Sequence, residues 1–440
     1  MGIIKNTDLS AQIRKVWKLS VPAILTQITT IVMQYIDSAM VGKLGAGASA
    51  AIGLVASSTW LLGGLISALS VGFSVQIAQH IGADQPEKAR QVLKHSLVTA
   101  LVFSSLLLAG AAGISGYLPV WLGGEPAIQG DASAYFLIYA LSIPFQQMNS
   151  LAASCLQCSG NMVTPSILNS LMCVLDVIFN AIFIPLYGVR GASIGTALSV
   201  VVISLIMLWF CCLRSDSLRL DRKERCPLDG QILKRALRIG LPVGGEQVAM
   251  CGAMVASTAI IAPLGTIAIA AHSFAITAES LCYMPGYGVG SAATTLVGQS
   301  MGAKEYKLAK RYGNICIGFG ATLMGLTGIV MFVACPLVFR MLTPDLQVRE
   351  LAAQVLRIGL LSEPLFAVSI AASGALRGAE DTLVPSILNL LSIWVVRLGL
   401  AIILVPLWGL HGMWVAMLVE LWVRGLLLLY RQHTSGYYKQ

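Results

Sequence analysis

The pentapeptide Pro-Ser-Ile-Leu-Asn occupies residues 165–169 and recurs half a chain length later, at residues 385–389. The same interval relates other positions along the chain, and near the ends it slips by one residue, where Pro185-Leu-Tyr-Gly188 corresponds to Pro406-Leu-Trp-Gly409. This period is far longer than that of solenoid repeats, so the duplicated unit is a whole bundle. Further pairs are Pro22 with Pro242, Gln27 with Gln247, Gln79 with Gln299 and Pro144 with Pro364.

The composition of the 440-residue chain is that of a membrane protein. Hydrophobic residues make up 56% of it, charged residues 11%, and the mean hydropathy is +0.79, well outside the usage of soluble domains. Reading apolar runs of about 20 residues as membrane spans predicts an all-α polytopic membrane protein with twelve transmembrane helices. The runs are 16–41, 47–78, 92–118, 130–155, 163–185, 190–213, 233–262, 266–298, 312–339, 350–375, 383–406 and 411–431.

The two halves of the chain each contain six of these runs. A half with an even number of spans begins and ends on the same side of the membrane, so the halves are parallel repeats. Parallel repeats with a substrate site between them form one of the known transporter plans. We therefore predict two six-helix lobes around a central cleft, at 1–213 and 233–440, joined by a basic cytoplasmic linker at 214–232. An inert duplicated scaffold is the alternative.

The net charge of +9 is concentrated in alternate loops, which fits membrane orientation better than nucleic-acid binding. Lys and Arg in short loops mark the cytoplasmic side, and they cluster before the first run, after the second and eighth, and in the linker around Arg222-Lys223. We expect both termini to be cytoplasmic and expect no nucleic-acid partner. Because no cleavable signal is visible, the first span should direct insertion into a bacterial inner (plasma) membrane.

The ten cysteines lie mostly inside predicted helices, where they read as small apolar residues. Cys155 and Cys158 have metal-like spacing, but no second pair or His cluster completes a zinc site. We expect no disulfide, no structural metal and no cofactor.

Acidic residues inside the predicted spans are the strongest sign of function. A carboxylate in the hydrocarbon region costs on the order of 2.5–3.5 kcal/mol on insertion scales. Asp37 lies in the first span and Asp176 in the fifth, with Asn180 one turn later, and Thr196 lies in the sixth. These oxygen ligands suit an alkali cation such as Na⁺, while two acids in a poorly solvated pocket suit a proton. The residues alone leave both ions open.

In the second half the charged positions differ, since Ser257 replaces Asp37 and Arg397 stands roughly in the place of Asp176. Glu279, Glu363 and Arg397 fall near the middle of spans eight, ten and eleven. We expect Arg397 to neutralise one of the two acids there, which leaves the other free for a proton or a cationic substrate. The sequence also predicts a structural pair four residues apart on span twelve. The candidate coupling or substrate residues are Glu246, Glu279, Glu363 and Arg397, and the structural pair is Glu420 with Arg424.

Proline interrupts the first span of each half, at Pro22 and Pro242. Proline removes a backbone donor and favours a bend. We predict a hinge near Pro22 that couples the charge state of Asp37 to closure of its lobe.

The chain resembles the multidrug and toxic compound extrusion (MATE) family of antiporters over essentially its full length. The stretch from Glu279 to Ala303, which contains Tyr-Met-Pro-Gly-Tyr-Gly, carries the strongest resemblance. Pro22 with Asp37-Ser-Ala-Met-Val-Gly42, the loop Gln79–Ala83 and Leu376-Arg-Gly-Ala-Glu-Asp381 also match. The motifs are specific together, although none is specific by itself.

The resemblance implies two six-helix lobes and export of amphipathic, often cationic drugs in exchange for inward H⁺ or Na⁺. It places Asp37, Asp176 and Thr196 in a coupling site of the first lobe. Members with this site often carry an Asn one turn before the second acid, where this chain has Met172. The missing amide favours H⁺ unless Asn180 replaces it.

Three other functions compete with an exporter. A lipid-linked oligosaccharide flippase of related architecture would require several basic side chains in the cleft, yet the spans hold mainly acids. An intramembrane enzyme would need a catalytic motif, and none is present. A passive channel is disfavoured because the halves have diverged. We expect a monomer in the lipid bilayer that acts on small molecules.

Overall fold

The computed structural model describes residues 9–220 and 229–438, and within these ranges the regular secondary structure is entirely helical. Apolar segments form helices in a bilayer because a helix satisfies its own backbone hydrogen bonds. Phe210–Arg214 and Ser392–Arg397 widen into π-helical turns. The α-helices are α1 (Leu9–Gly42), α2 (Ala46–Gly82), α3 (Pro86–Ile114), α4 (Leu118–Trp121), α5 (Pro126–Cys158), α6 (Val163–Tyr187), α7 (Val189–Trp209), α8 (Gly230–Ile261), α9 (Thr266–Gly302), α10 (Tyr306–Leu342), α11 (Leu346–Leu360), α12 (Glu363–Gly378), α13 (Leu383–Leu391), α14 (Leu398–Trp408) and α15 (Leu410–Thr434).

Ten helical segments in the described ranges are long and apolar enough to cross a membrane, and α11 with α12, which meet at a 54° bend, make an eleventh. The prediction of an all-α membrane protein is confirmed. The predicted run 130–155 is also helical, within the 33-residue α5, but polar residues keep it outside this apolar set. One of them, Gln147, is buried and donates from Nε2 to the carbonyl of Ile66 at 3.3 Å and to the hydroxyl of Ser70 at 3.2 Å. When the polar side chains of a spanning helix face protein instead of lipid, its mean hydropathy is too low to mark it as a membrane span.

The duplication is visible in the backbone. Positive φ angles, which are uncommon for residues with a side chain, recur at matching places in the two halves. Gly188 and Gly409, at the turns that precede α7 and α15, have φ of 60° and 57° and keep the one-residue slip of the sequence repeat. The other matched pairs are Gly45 with Gly265, Asp84 with Lys304, and Gly160 with Glu380.

The helices pack into two compact units. One combines the described residues up to Ile28 with those from Val248 onward, and the other runs from Thr29 to Gln247. Helices α1 and α8 therefore each contribute to both units. The lobes predicted at 1–213 and 233–440 follow the sequence duplication and stay a prediction, and residues 221–228 of the predicted linker lie outside the described residues.

Side-chain contacts account for this exchange of helix segments. Within the unit from Thr29 to Gln247, Gln76 on α2 donates from Nε2 to the carbonyl of Ile232 on α8 at 3.2 Å. Within the other unit, Trp17 on α1 packs edge-on against Phe319 on α10, with ring centroids 5.4 Å apart. The first part of each interrupted helix thus packs with helices of the opposite half of the sequence.

Large apolar side chains face outward along the long helices. On α10 they recur three and four residues apart, at the spacing of one helix face, and each is more than 60% exposed. An apolar stripe of this length marks a surface that contacts lipid. The residues are Leu326, Ile329, Val330, Val333 and Leu337.

Candidate functional site

The two acids of the first half meet through one amide. Asp37 lies on α1 and Asp176 on α6, and Asn180 follows Asp176 by one helical turn. The Nδ2 group of Asn180 donates to Oδ1 of Asp37 at 2.9 Å and to Oδ2 of Asp176 at 3.0 Å. The structure therefore brings together three of the residues that the sequence analysis singled out, and the amide, which has two N–H donors, uses one for each carboxylate.

Helix α7 supplies hydroxyl groups to the same place. Thr196 lines a cavity beside Asp37. Ser199, one turn further along α7, has its Oγ 3.4 Å from Oδ1 of Asp176 and 2.8 Å from the carbonyl of Thr196. A hydroxyl donates only one proton, so the shorter bond to the carbonyl is favoured and Asp176 gains little from it. Sequence reasoning missed Ser199, although its spacing from Thr196 puts both on one helix face.

Two glycines let α7 approach α6 closely enough to fix Asn180. A Cβ atom at position 195 would collide with Oδ1 of Asn180, and one at position 191 would collide with the carbonyl of Phe183. Oδ1 of Asn180 is buried and has no hydrogen-bond partner among the described residues. The amide therefore turns its N–H groups to the two acids and its oxygen to the backbone of α7.

The environment of the two carboxylates is poor in compensating charge. Asp176 and Asn180 have no exposed surface, while Asp37 is partly buried. Among the described residues, neither acid makes an ion pair with Lys, Arg or His. Two neighbouring carboxylates without a cation repel each other, and burial adds the cost of desolvation. The arrangement is therefore suited to hold a proton or a small monovalent cation.

A cavity of about 620 Å³ opens beside Asp37 within the unit from Thr29 to Gln247. This volume is within the usual range for small-molecule sites, about 300–1,000 Å³. Trp60, Tyr135 and Tyr139 contribute aromatic surface to its wall, and the hydroxyl of Tyr139 donates to the carbonyl of Thr59 at 3.0 Å. Sequence reasoning did not identify these aromatic residues, since nothing in their spacing separates a cavity wall from a packed core.

The candidate residues of the second half lie elsewhere. Glu279 and Glu363 are buried in the unit that begins at Val248, whereas Glu246 is partly buried on α8 in the unit with Asp37. The expectation that Arg397 neutralises Glu279 or Glu363 is wrong, because its Nη2 pairs with Oε2 of Glu420 at 2.6 Å. The side chain of Arg397 reaches α15, where Glu420 also accepts from Arg424.

The predicted structural pair on α15 is confirmed. Oε1 of Glu420 lies 2.6 Å from Nη2 of Arg424, and the two residues are four positions apart. Glu420 is completely buried, so two guanidinium groups offset the cost of one buried carboxylate.

Comparisons with known proteins give consistent results along the whole chain. A family model described as MatE matches residues 22–182 and residues 242–403, one match in each half. A probable multidrug resistance protein NorM from Thermotoga maritima is 30% identical over 426 residues, covering 94% of this chain and 90% of the relative. The protein of the same name from Idiomarina loihiensis is 27% identical over 453 residues, covering 97% and 95%.

Solved structures show the same fold. A MOP superfamily transporter from Pyrococcus furiosus matches with a TM-score of 0.93 and 22% identity, covering 98% of this chain and 97% of that chain. A multidrug resistance MATE family transporter, solved in an outward-facing conformation, matches with the same score, identity and coverage. At this identity the likeness establishes the fold, which these transporters and the present chain share.

Replacing Gly195 by Ala should lower the melting temperature of the purified protein, because the new methyl group would collide with Oδ1 of Asn180 and lie 3.0 Å from its backbone nitrogen. Overpacking of this kind costs about 1–3 kcal/mol. Most of the loss should disappear when Gly195→Ala is made in an Asn180→Ala background, where the shorter side chain leaves room. Thermal unfolding followed with a thiol-reactive dye reports the buried cysteines.

Gly191→Ala is the matched control, since its methyl group would collide with a backbone carbonyl. Its destabilisation should be the same with Asn or Ala at position 180. Equal rescue of both glycine variants, or no rescue of Gly195→Ala, would contradict the placement of Asn180 against α7.

Proposed function

The chain belongs to the MatE family of multidrug efflux transporters, and from this premise we propose that it is a secondary active antiporter, which exports amphipathic, cationic small molecules in exchange for inward H⁺. It is a multi-pass membrane transporter and not an enzyme. The antiport cycle, the coupling to H⁺ and the cationic character of the substrates are proposed here.

Asp37 belongs both to the cavity wall and to the amide-bridged acid pair, and this double role is the main support for antiport. The negative charge of Asp37 stabilises either a cation in the cavity or a proton on its own carboxyl group, so each disfavours the other. Competition at one carboxylate links proton entry to drug exit when the cavity opens alternately to the two sides of the membrane.

The position of Asn180 supports H⁺ over Na⁺. A sodium ion requires several oxygen ligands, but the amide oxygen of Asn180 faces α7 at Gly195 while its N–H groups occupy both acids. Met172, which stands where related sites carry an amide, packs against the apolar core instead. Asp37, Asp176 and Thr196 alone offer few ligands, so a proton shared by the acids is the better occupant.

The walls of the cavity support an organic cation as substrate. Trp60, Tyr135 and Tyr139 offer aromatic faces, which attract cations by about 0.5–2 kcal/mol each. A lipid-linked oligosaccharide flippase, the alternative, would bind a pyrophosphate and require Lys or Arg. The described lining of this cavity contains Asp37 and neither Lys nor Arg, which favours the exporter.

We further propose that the protein works as a monomer in a bacterial inner membrane, with both termini in the cytoplasm. The similarity to bacterial NorM proteins and the clustering of Lys and Arg in alternate loops support this placement.

Proteoliposomes test the coupling role of Asp37 with ethidium as a fluorescent cation. Wild-type protein should transport ethidium under a pH gradient alone, and Asp37→Asn should fall to the level of protein-free liposomes, because the amide cannot take up a proton. Asp131→Asn is the matched control, since Asp131 is an exposed residue on α5 that pairs loosely with Arg190 at 3.8 Å. Wild-type rates in Asp37→Asn would refute the proposal, and transport driven only by a Na⁺ gradient would replace H⁺ with Na⁺.

Pro22 is proposed as the hinge of α1. It lies six residues before the position where α1 passes from one compact unit to the other, and it removes a backbone donor from the helix. Pro22→Ala should slow ethidium transport and reduce amide hydrogen exchange along α1, because the helix becomes more rigid. Pro336→Ala, inside α10, is the control. Unchanged transport together with unchanged exchange in Pro22→Ala would remove the hinge.

A further inference from the structure

The unit that begins at Val248 contains a second cluster of buried charged residues, which the cavity at Asp37 does not use. Its members come from four segments of the chain. Glu279 lies on α9, Glu363 on α12, Arg397 in the π-helical turn after α13, and Glu420 and Arg424 on α15. The cluster holds three carboxylates and two guanidinium groups, so full ionisation would leave one negative charge in excess.

Glu420 is held as a fixed anion. Its Oε1 accepts from the hydroxyl of Ser392 at 2.7 Å and from Nε of Arg424 at 2.6 Å, and its Oε2 accepts from Nε and Nη2 of Arg397 at 3.1 and 2.6 Å. Charge-assisted bonds of this kind are the strongest in proteins. Any exchange of charge in the cluster therefore falls to the other two acids.

Glu279 and Glu363 have no such partners within residues 9–220 and 229–438. Glu279 is 4% exposed and Glu363 is completely buried. Oε1 of Glu279 and both carboxylate oxygens of Glu363 lack a hydrogen-bond partner among the described residues. The two acids are close enough to act electrostatically on each other and on the thiol of Cys282, one turn along α9 from Glu279. Two unpaired charges at this burial would be very costly.

The surrounding backbone leaves room for these acids. A Cβ atom at Gly328 would lie 3.3 Å from Cβ and Cγ of Glu363, and one at Gly359 would lie 3.3 Å from Oε1 of Glu279. Glu363 is the first residue of α12, just after the 54° bend that separates α12 from α11. The positive end of the α12 dipole therefore favours one negative charge on the Glu279–Glu363 pair.

Other titratable and charged groups near the pair do not neutralise it directly. The guanidinium of Arg397 acts electrostatically on Glu279 and on His272, although its hydrogen bonds go to Glu420. The His272 ring packs edge-on against Trp414 at 5.9 Å, and Nδ1 of His272 and Nε1 of Trp414 have no partner among the described residues. On α11, the guanidinium of Arg357 lies over the ring of Phe332 at 5.2 Å.

We propose that Glu279 and Glu363 share one exchangeable proton and form a second proton-binding site, separate from the Asp37 site. With that proton bound, the three carboxylates carry two negative charges, which the two arginines balance. Loss of the proton leaves an uncompensated charge, so release requires water or a cation to reach the pair. The use of this proton in transport rests on the antiport proposed above, whereas its binding does not.

The surroundings favour a proton over a metal cation. Thr327 on α10 lies beside Cys282, with its Oγ1 3.5 Å from the Cys282 carbonyl, but its hydroxyl donates to the carbonyl of Met324 at 3.1 Å. Other groups beside the pair are the Cys282 thiol, the Trp414 ring and two glycines. A sodium ion would find too few oxygen ligands here.

Infrared difference spectroscopy of the purified protein between acidic and alkaline buffer tests the proposal, because it detects the C=O stretch of protonated carboxyl groups without any transport step. Wild-type protein should show two titrating components in addition to the signal of its exposed carboxyl groups, which all variants share. Asp37→Asn should remove one of them. Glu279→Gln and Glu363→Gln should each abolish the other, since the remaining glutamate is then balanced by the arginines and stays ionised. If Asp37→Asn removed no component, the result would count against the proposed antiport but would not affect the Glu279–Glu363 site.

Glu350→Gln, at an exposed position on α11, is the matched control and should leave both components in place. Where a glutamine variant does not fold, Glu279→Asp and Glu363→Asp keep both carboxyl groups and should retain a shifted band. Survival of the second component in both glutamine variants, or its loss in both aspartate variants, would overturn the proposal. Loss of that component in wild-type protein on addition of sodium chloride, but not choline chloride, would assign a metal-cation site instead.

Discussion

Burying a carboxylate among membrane-spanning helices without a positive partner is costly, and this cost governs the arrangement of the acidic residues here. A permanent ion pair, such as that of Glu420 with Arg397 and Arg424, satisfies a buried charge and holds helices together. Asp37 and Asp176 share the N–H groups of Asn180, and no Lys, Arg or His of the described residues pairs with either acid. The N–H groups of one amide lower the free-energy cost of burying a carboxylate charge, but they do not neutralise two carboxylates. In the function proposed here, a proton or a cation from outside the protein supplies the missing positive charge.

The two halves share a backbone plan but place their acids on different helices. In the second half Ser257 stands in the place of Asp37 and donates its hydroxyl to the carbonyl of Ala253 at 2.8 Å within its own helix. At the interval that relates Pro165 to Pro385, Glu279 is the counterpart of Thr59, and Gly359 is the counterpart of Tyr139. The hydroxyl of Tyr139 bonds to the carbonyl of Thr59 in one half, while Gly359 leaves space for the carboxylate of Glu279 in the other. Equivalent positions thus line an aromatic cavity in one half and hold a buried acid in the other.

The fold and part of the site follow from the sequence, because helix length, apolar runs and a half-chain repeat are local or periodic signals. The pairing of Asp37 with Asp176 could be foreseen since both are costly in lipid and fall at similar depth. The partner of Arg397 could not be predicted, because a long side chain can reach several helices and the sequence does not show which acid is nearest. The exchange of the first parts of α1 and α8 between the compact units was also missed, since it depends on contacts such as Gln76 with Ile232.

A bound organic cation and a proton should compete for the carboxylate of Asp37 at the cavity wall. Addition of ethidium to purified protein in weakly buffered detergent solution tests it most directly, with a pH electrode to follow protons and fluorescence to follow binding. Wild-type protein should release protons in proportion to bound ethidium, and Asp37→Asn should release none. Saturable binding of ethidium to wild-type protein with no release of protons, across the pH range in which transport occurs, would contradict it.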